Sequence, residues 1–271
     1  MIRYIRPIIL GSLTVGLMFA QAPPPPAAAG AKPAGGPRGN RPPRPQTPTP
    51  RLPNGKPDFA GDGIWNTPYV TNMALPQWNG GKNIEAEIPY QPWAKAIFAE
   101  RVKTQAADDP EGMCLPPGIP RMYYTPYPFQ IIQEPNRWTF IFEGGAHIWR
   151  TIKIGDNLKH PEDPNPNWLG DAIGHWEGDT LVVDTVGFND RSWLDFAGHP
   201  HTDKLHVVER FSRPFKETMV YSATIDDPGA YTGSWTVPTV NIPWTEGGEL
   251  IEYICQENNR DQAHLHDIPK Q

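Results

Sequence analysis

A single polar segment holds most of the side chains that could do chemistry. It runs from Asn189 to Asp203 and continues into an alternating stretch that ends at Arg210, and it is called the 189–210 segment below. Its candidate catalytic groups are imidazoles, carboxylates and a guanidinium: His199, His201, His206, Asp195, Glu209 and Arg191. The segment is longer and richer in such groups than a hairpin connection requires. We therefore predict that it forms a site in which imidazoles and carboxylates move protons.

A second group of side chains is predicted to bind the ligand of this site. Arginines would hold an anionic group or a developing negative charge, and tryptophans would supply apolar walls. The predicted ligand-binding residues are His147, Trp149, Arg150, His175, Trp193 and Asn189. His199, His201 and His147 could also supply nitrogen ligands to a divalent metal, although their spacing matches no zinc signature. The sequence indicates no other cofactor.

The strand predicted at the end of the 189–210 segment places a carboxylate among apolar residues. Side chains alternate along a strand, so Glu209 shares a face with Val207 and Phe211, while His206 lies on the other face. If the first face is the core, Glu209 is a buried charge that needs a cationic partner or a raised pKa. The alternative places Glu209 in solvent and covers its apolar neighbours with the aromatic arm of residues 58–92.

The elements that would position these groups are mostly strands. After Phe129 the hydrophobic pattern has a period of two, and Gly144-Gly145 and Gly178-Asp179 are typical hairpin turns. The pattern predicts strands near residues 137–143, 146–154, 172–176, 180–188, 204–212, 217–226, 231–237 and 249–256. Such consecutive strands form a barrel or a sandwich. We favour a mainly β fold with a single antiparallel, lipocalin-like barrel.

One helix is predicted ahead of the strands. The spacing of Trp93 and Ile97, repeated by Phe98 and Val102, follows the helical period over residues 91–107. The aromatic arm before this helix mixes tryptophan and tyrosine with proline, glycine and asparagine. We expect a long irregular segment there that packs its rings onto the barrel.

The first 57 residues predict export and a tether. Residues 1–22 combine two arginines with an apolar run and small residues, as a cleaved or anchoring signal segment does. Residues 23–57 are basic and proline-rich, and they contain no Asp or Glu, so we expect a disordered tether. Residues 58–271 would then form a single β domain. The tether is interpreted as a solvated spacer or as a peripheral contact to anionic lipid headgroups or wall polymers.

Charge and cysteine content limit the partners and the compartment. Eight of the 24 Lys and Arg precede Asp58, which leaves 16 against 30 Asp and Glu, a formal charge of −14 for the domain. Because an acidic domain repels phosphates, we predict no nucleic-acid partner. Cys114 and Cys255 are the only cysteines, and a periplasmic, envelope-tethered or extracellular location favours a disulfide between them. The alternative is a free catalytic thiol.

Short motifs are spread over nearly the whole domain. They are Asp58-Phe59-Ala60-Gly61, Asp109-Pro110, Cys114-Leu115-Pro116-Pro117-Gly118, Tyr127-Pro128-Phe129, residues 174–185 and residues 188–210. Together they resemble a large family of uncharacterised exported bacterial proteins. The resemblance implies export and an intact domain, and it implies no mechanism. The Gly63-Ile64-Trp65 motif is similar to that of lipocalin-like barrels.

Three functions fit these features. The first is an enzyme that binds a small organic molecule in the mouth of the barrel and catalyses hydrolysis or elimination, with or without a metal. The second is a periplasmic binding protein that uses the same pocket without turnover. The third is an envelope interaction module that binds through the aromatic arm. Imidazoles beside carboxylates favour the enzyme, because a carrier of an apolar ligand has little use for them.

Overall fold

The computed structural model describes residues 46–75 and 82–257, apart from the side chains of residues 146 and 147. The predicted signal segment and most of the predicted tether lie outside these residues.

The strands of the described chain form one sheet that closes into a barrel. They are β1 (Gly63–Trp65), β2 (Phe129–Glu134), β3 (Arg137–Phe142), β4 (Trp149–Ile154), β5 (Asp171–Glu177), β6 (Thr180–Val186), β7 (His206–Phe215), β8 (Thr218–Asp226), β9 (Trp235–Thr236) and β10 (Val240–Glu246). The ring closes because β10 pairs with both β1 and β8, while β9 adds to β8 outside the ring. A mainly β, closed barrel is therefore confirmed.

Several features of the barrel differ from the sequence prediction. The β4–β5 pairing is parallel, since residues 155–170 cross over instead of turning back as a hairpin, so the barrel is mixed. The predicted strand at residues 249–256 is wrong, because the structure places turns and irregular chain there. Strand β10 was missed, since Pro243 lies within it and proline is typical of strand ends and edges.

Two helices flank the sheet within the described chain, together with short 3-10 helices at residues 85–87, 110–113 and 121–123. Helix α1 (Pro92–Lys103) lies within the predicted helix of residues 91–107; it begins with proline in its first turn and ends where the Thr104 hydroxyl donates to the carbonyl of Glu100 at 3.0 Å. Helix α2 (Gly144–His147) replaces the predicted Gly144-Gly145 turn with one helical turn. No helix of the described residues is long and apolar enough to span a membrane.

Aromatic side chains fill the interior of the barrel. Tyr123, from the 3-10 helix at residues 121–123, is fully buried and lies 4.5 Å from Tyr221 between ring centroids. It also meets the edges of Phe129, Phe140, Phe142 and Phe211 at 5.3–5.9 Å. Rings packed in this way stabilise one another beyond their buried area. The packed rings occupy the space in which a lipocalin-like barrel would hold its ligand.

The last residues of the predicted tether contact the barrel. Pro48 forms an isolated bridge with Phe215, at the end of β7. The Thr49 hydroxyl donates to the carbonyl of Arg213 at 2.6 Å. The packed domain therefore begins earlier than the composition predicts, because a few bridges to a strand end leave no periodic pattern in a proline-rich stretch.

Two truncations are expected to differ in stability. Removing residues 1–45 should leave the thermal midpoint unchanged, whereas removing residues 1–56 should cost about 1–2 kcal/mol, since hydrogen bonds to the barrel contribute about 1 kcal/mol each. For a domain of this size such a loss lowers the midpoint by several degrees. Calorimetry of both variants checks this, and equal midpoints would show that the packed residues contribute nothing.

Candidate functional site

The structure divides the 189–210 segment among separate surroundings. Asp195 and His199 lie together in a buried turn, and His201 pairs with Ser192. Glu209 is fully buried inside the barrel, while His206 lies on its outer face. The candidate catalytic residues therefore do not converge on one cavity.

The Asp195–His199 pair holds the turn of residues 195–199. One carboxylate oxygen of Asp195 accepts the backbone N–H groups of Gly198 and His199 at 3.0 and 3.2 Å. The other accepts the N–H of Met73 at 2.9 Å and lies 2.8 Å from His199 Nδ1. On the far side of the imidazole, Nε2 lies 3.3 Å from a carboxylate oxygen of Glu85. The ring is thus enclosed between two carboxylates.

Electrostatics keep this buried pair charged. Burial disfavours the imidazolium, but Asp195 and Glu85 outweigh it and raise the pKa of His199 to about 9. Burial likewise opposes ionisation of Asp195, yet His199 and the backbone N–H groups lower the pKa of its carboxyl. Tyr90 and Phe98 pack against the imidazole with ring centroids 6.0 and 4.3 Å away. His199 is fully buried, which suits a structural ion pair better than proton exchange with a substrate.

His201 forms a serine–histidine hydrogen bond that the sequence did not predict. Its Nε2 lies 2.9 Å from the Ser192 hydroxyl, and its Nδ1 lies 3.1 Å from the carbonyl of Thr202. Since a carbonyl only accepts, Nδ1 carries the proton and Nε2 accepts from Ser192. Burial lowers the pKa of His201, so the ring stays neutral. Gly118 packs so tightly on Ser192 that a Cβ there would lie 2.4 Å from its Oγ, which leaves a substrate no room at the hydroxyl.

Glu209 and Arg150 form an ion pair inside the barrel. Arg150 donates to both carboxylate oxygens of Glu209, at 2.9 and 2.5 Å, and to the hydroxyls of Tyr123 and Thr185. Tyr221 donates a further hydrogen bond to Glu209 at 3.1 Å. Of the two alternatives for Glu209, the structure shows the buried carboxylate with a cationic partner and not the solvent-exposed one. Burial opposes the charge on Arg150, but Glu209 outweighs it and raises the arginine pKa.

The remaining predicted residues lie on the surface or in structural positions. His206 Nε2 lies 3.0 Å from Asp184, which also contacts His160 at 2.9 Å. Arg191 and Trp149 are exposed, and His175 is about half exposed beside Glu177. Trp193 is buried, and Asn189 accepts the N–H of Arg191.

The metal hypothesis gains no support from these positions. Within residues 46–75 and 82–257, no three His, Cys, Asp or Glu side chains come together as a metal site. His199 and His201 face different partners, and the side chain of His147 lies outside the described residues.

A cleft of about 930 Å³ lies outside the barrel, beside the end of α1. Its lining comes from the aromatic arm, α1, the 3-10 helices at residues 110–113 and 121–123, the 195–199 turn and residues 253–257. Of the 189–210 segment, Phe196 and Ala197 line this cleft. The segment therefore does line a cavity, but through two residues that were not predicted to do so. The volume lies in the range of small-molecule sites.

The floor of the cleft carries one buried arginine between two carboxylates. Arg121 donates to both oxygens of Asp109, at 2.8 and 2.6 Å, and its Nη2 lies 2.6 Å from Glu111 Oε2. Its guanidinium also stacks on Phe196, 4.1 Å from the ring centroid. Burial raises the pKa of the Glu111 carboxyl. The positive charge of Arg121 lowers that pKa again, but only in part. Within the described chain, Arg121 Nε is buried without a hydrogen-bond partner, while Glu111 Oε2 is held by its ion pair with Arg121.

Arg101 is the second cation of the cleft. Its guanidinium stacks on Trp193, 4.2 Å from the ring, and donates to the carbonyl of Gly198 at 3.0 Å. No carboxylate of the described residues lies within ion-pair distance of it. Burial lowers its pKa to about 10, so it remains charged at neutral pH.

The walls of the cleft are aromatic, and one wall is held by the disulfide. Tyr69 meets Phe196 edge to face at 5.1 Å, and Tyr127 packs on Tyr253 at 4.5 Å. Cys114 and Cys255 are bonded, with Cα atoms 5.6 Å apart, so the predicted disulfide is confirmed. The bond fastens residues 253–257 beside the 3-10 helix at residues 110–113.

Three comparisons bear on the relatives of this chain. No protein-family model matches it, and neither curated proteins nor solved structures show a significant similarity.

Proposed function

We propose that this protein binds a small organic ligand in the cleft beside α1. The observation that carries the proposal is a cavity of about 930 Å³ with aromatic walls and a charged, partly unpartnered floor. Clefts of this kind, largely apolar with a few convergent polar groups, are typical of small-molecule sites. The barrel itself serves as the scaffold, because its interior is filled by rings and by the Arg150–Glu209 pair.

Binding without turnover is the better-supported form of this function. Hydrolysis or elimination by the 189–210 segment would need an imidazole that a substrate can reach. His199 is fully buried and His201 is 6% exposed, and neither lines the cleft. The Asp195–His199 pair has a positioning role instead, since it holds the turn that presents Phe196 and Ala197 to the cleft.

Export is part of the proposal. The disulfide supports it, because such bonds persist mainly in oxidising compartments. The resemblance to exported bacterial proteins and the signal-like N-terminus point to the same compartment. A periplasmic or envelope-tethered binding protein for small molecules fits these features.

A cleft-blocking substitution tests the proposal. A fragment set of small aromatic and alicyclic acids, amines and neutral molecules is screened by saturation-transfer NMR. Hits on the unaltered protein should disappear in Ala197→Trp, since the indole fills the space in which they bind. The matched control is Ala96→Trp, which adds the same ring at an exposed position of α1 that does not line the cleft.

Circular dichroism and the thermal midpoint establish that both tryptophan variants are folded. An absence of hits on the unaltered protein, or hits that survive equally in both variants, would contradict ligand binding in this cleft.

A further inference from the structure

The charged side chains that line the cleft differ in how far their neighbours neutralise them. Arg121 is bonded to both oxygens of Asp109 and lies 2.6 Å from Glu111, so these three form one ion-paired group. Glu257 is exposed, so solvent and salt screen its charge. Arg101 is the remaining charged side chain of the lining, and no carboxylate of the described residues lies within ion-pair distance of it.

The guanidinium of Arg101 is held in one orientation. It stacks on Trp193, 4.2 Å from the ring, and its Nη1 donates to the carbonyl of Gly198 at 3.0 Å. Gly198 has a φ of +95°, and a Cβ there would lie 2.8 Å from the Cβ of Arg101. Only glycine therefore lets this backbone pack so closely on the arginine stem. The fold orients the guanidinium before any ligand binds.

Most of the donors of Arg101 remain available to a ligand. A guanidinium carries five N–H groups, of which the Gly198 carbonyl takes one and the aromatic face of Trp193 takes none. Nε and Nη2 of Arg101 make no hydrogen bond within the described residues, and neither atom is buried. They are therefore accessible, and Arg101 lines the cleft. Such a planar fork of donors matches the two oxygens of a carboxylate.

Nearby acids leave the positive charge of Arg101 uncompensated. Asp109 and Asp195 act on it through space, but each has a cationic partner of its own, Arg121 and His199. Exposed acids farther away are screened over about 8 Å at physiological salt. The negative charge of the domain as a whole therefore does not cancel the attraction of this guanidinium for an anion.

An aromatic surface lies a short distance from the guanidinium. Phe196 precedes Gly198 by two residues, so their Cα atoms lie within about 7 Å of each other. The ring of Phe196 meets that of Tyr69 edge to face at 5.1 Å, and both residues line the cleft with Arg101. Such rings favour contact with another ring. A ring that carries a carboxylate on a short chain has the dimensions to reach both the guanidinium and these rings.

We propose that the ligand is an aromatic carboxylate, bound with its carboxylate at Arg101 and its ring against Phe196 and Tyr69. This inference rests on the proposed function and adds the chemical class of the ligand. A neutral or cationic ring would leave the guanidinium without an anionic partner, so the cleft should select its ligand by charge.

Three probes separate the contribution of the charge from that of the ring: 3-phenylpropanoate has both, 3-phenylpropanamide has only the ring, and butanoate has only the anion. Calorimetry at neutral pH measures their affinities. The unaltered protein should bind 3-phenylpropanoate at least about ten-fold more tightly than the amide, because charge-assisted hydrogen bonds are roughly twice as strong as neutral ones. It should also bind butanoate more weakly than 3-phenylpropanoate, since butanoate lacks the ring. Equal affinity for 3-phenylpropanoate and either other probe would overturn the inference, and so would binding of none of the three.

Two variants locate the two halves of the ligand. Arg101→Gln should abolish the advantage of 3-phenylpropanoate over the amide and leave the affinity of the amide unchanged. Phe196→Leu should weaken the acid and the amide by the same factor, because it removes a ring of the wall and keeps the guanidinium. The matched control is Arg137→Gln, exposed on β3 and outside the cleft, which should leave all three affinities unchanged.

Circular dichroism establishes that the variants are folded, and the ranking of the probes on the unaltered protein decides the ligand class even where a variant does not fold. An advantage of the acid that survives in folded Arg101→Gln would place the carboxylate elsewhere and contradict the inference.

The two proposals fail in different ways. If the fragment set binds in the cleft but the acid does not exceed its amide, the ligand class is wrong and ligand binding stands. If the fragment set also fails to bind, both are wrong.

Discussion

Glu209→Gln should lower the free energy of unfolding by about 3–5 kcal/mol, because removing one partner of a buried ion pair leaves the other charge without compensation. The side chains of Glu209 and Arg150 are 0% and 1% exposed, so water cannot replace the lost carboxylate. Arg150→Met should cost a similar amount, since it leaves the carboxylate charge inside the barrel. Urea denaturation followed by circular dichroism measures both losses.

The double variant distinguishes the interaction energy of the Arg150–Glu209 pair from the effect of replacing each residue alone. With Arg150→Met and Glu209→Gln together, no charge remains in the barrel, and the loss should be smaller than the sum of the single losses by about 2 kcal/mol or more. Arg210 is the neighbour of Glu209 on β7 and pairs with Glu177 at 2.8 Å with both side chains about half exposed. Arg210→Gln should cost less than about 1 kcal/mol. Single losses below that value for the barrel pair, or strict additivity, would show that the interior is not dry.

The barrel was largely predictable from periodicity, and periodicity offered the buried position of Glu209 as one of two alternatives. Alternation placed Glu209 with Val207 and Phe211, and the structure has all three fully buried. The turn at Gly178 was predictable because its φ of +59° is one that glycine adopts without strain. Where the pattern is interrupted, as by Pro243 in β10, the prediction failed.

The cleft was not predictable in the same way. Tyr69, Arg101, Arg121, Phe196 and Tyr253 come from distant parts of the chain and share no spacing. Only the fold brings them together, and the disulfide then fastens the last of these segments.

The imidazoles of the 189–210 segment show a second limit of sequence patterns. In a strand the direction of a side chain follows from its position, but in a loop it follows from hydrogen bonds with distant residues. The N–H of Met73, 122 residues away, helps to fix Asp195 and with it His199. The imidazoles of this segment are therefore buried in structural contacts, and the cleft lies beside them.

The stability of the protein should fall as the pH rises from about 6.5 to about 9, and His199 should account for much of the loss. The folded-state pKa of His199 is raised to about 9, against about 6.5 in an unfolded chain. Below pH 6.5 both states hold the proton and the stabilisation is fully present. Above the folded-state pKa the imidazole is neutral in both states, and a contribution on the order of 3 kcal/mol is lost.

Several other groups titrate outside this window or with the opposite sign, whereas the raised pKa of Glu111 makes stability fall with rising pH in the same sense as His199. The pKa values of Asp195 and Glu85 are lowered in the fold, so their contribution is lost only as the pH falls through the acidic range. His201 has a lowered pKa and therefore destabilises the fold below about pH 6.5, where the unfolded chain takes up a proton. Burial lowers the pKa of Arg101 to about 10 and raises the pKa values of Tyr90 and Tyr231. These groups affect the stability only at alkaline pH.

His199→Gln isolates the contribution of this imidazole. The variant should be less stable than the unaltered protein at pH 6, because Asp195 loses its buried cationic partner, and the gap should narrow steadily up to about pH 9. His175→Gln changes a half-exposed histidine and serves as the matched control, with a curve that should parallel that of the unaltered protein. Urea unfolding at pH 6, 7, 8 and 9 provides the comparison. A gap between His199→Gln and the unaltered protein that stays constant over this range would mean that His199 is neutral in the fold, and Asp195 would then hold the 195–199 turn without an ion pair.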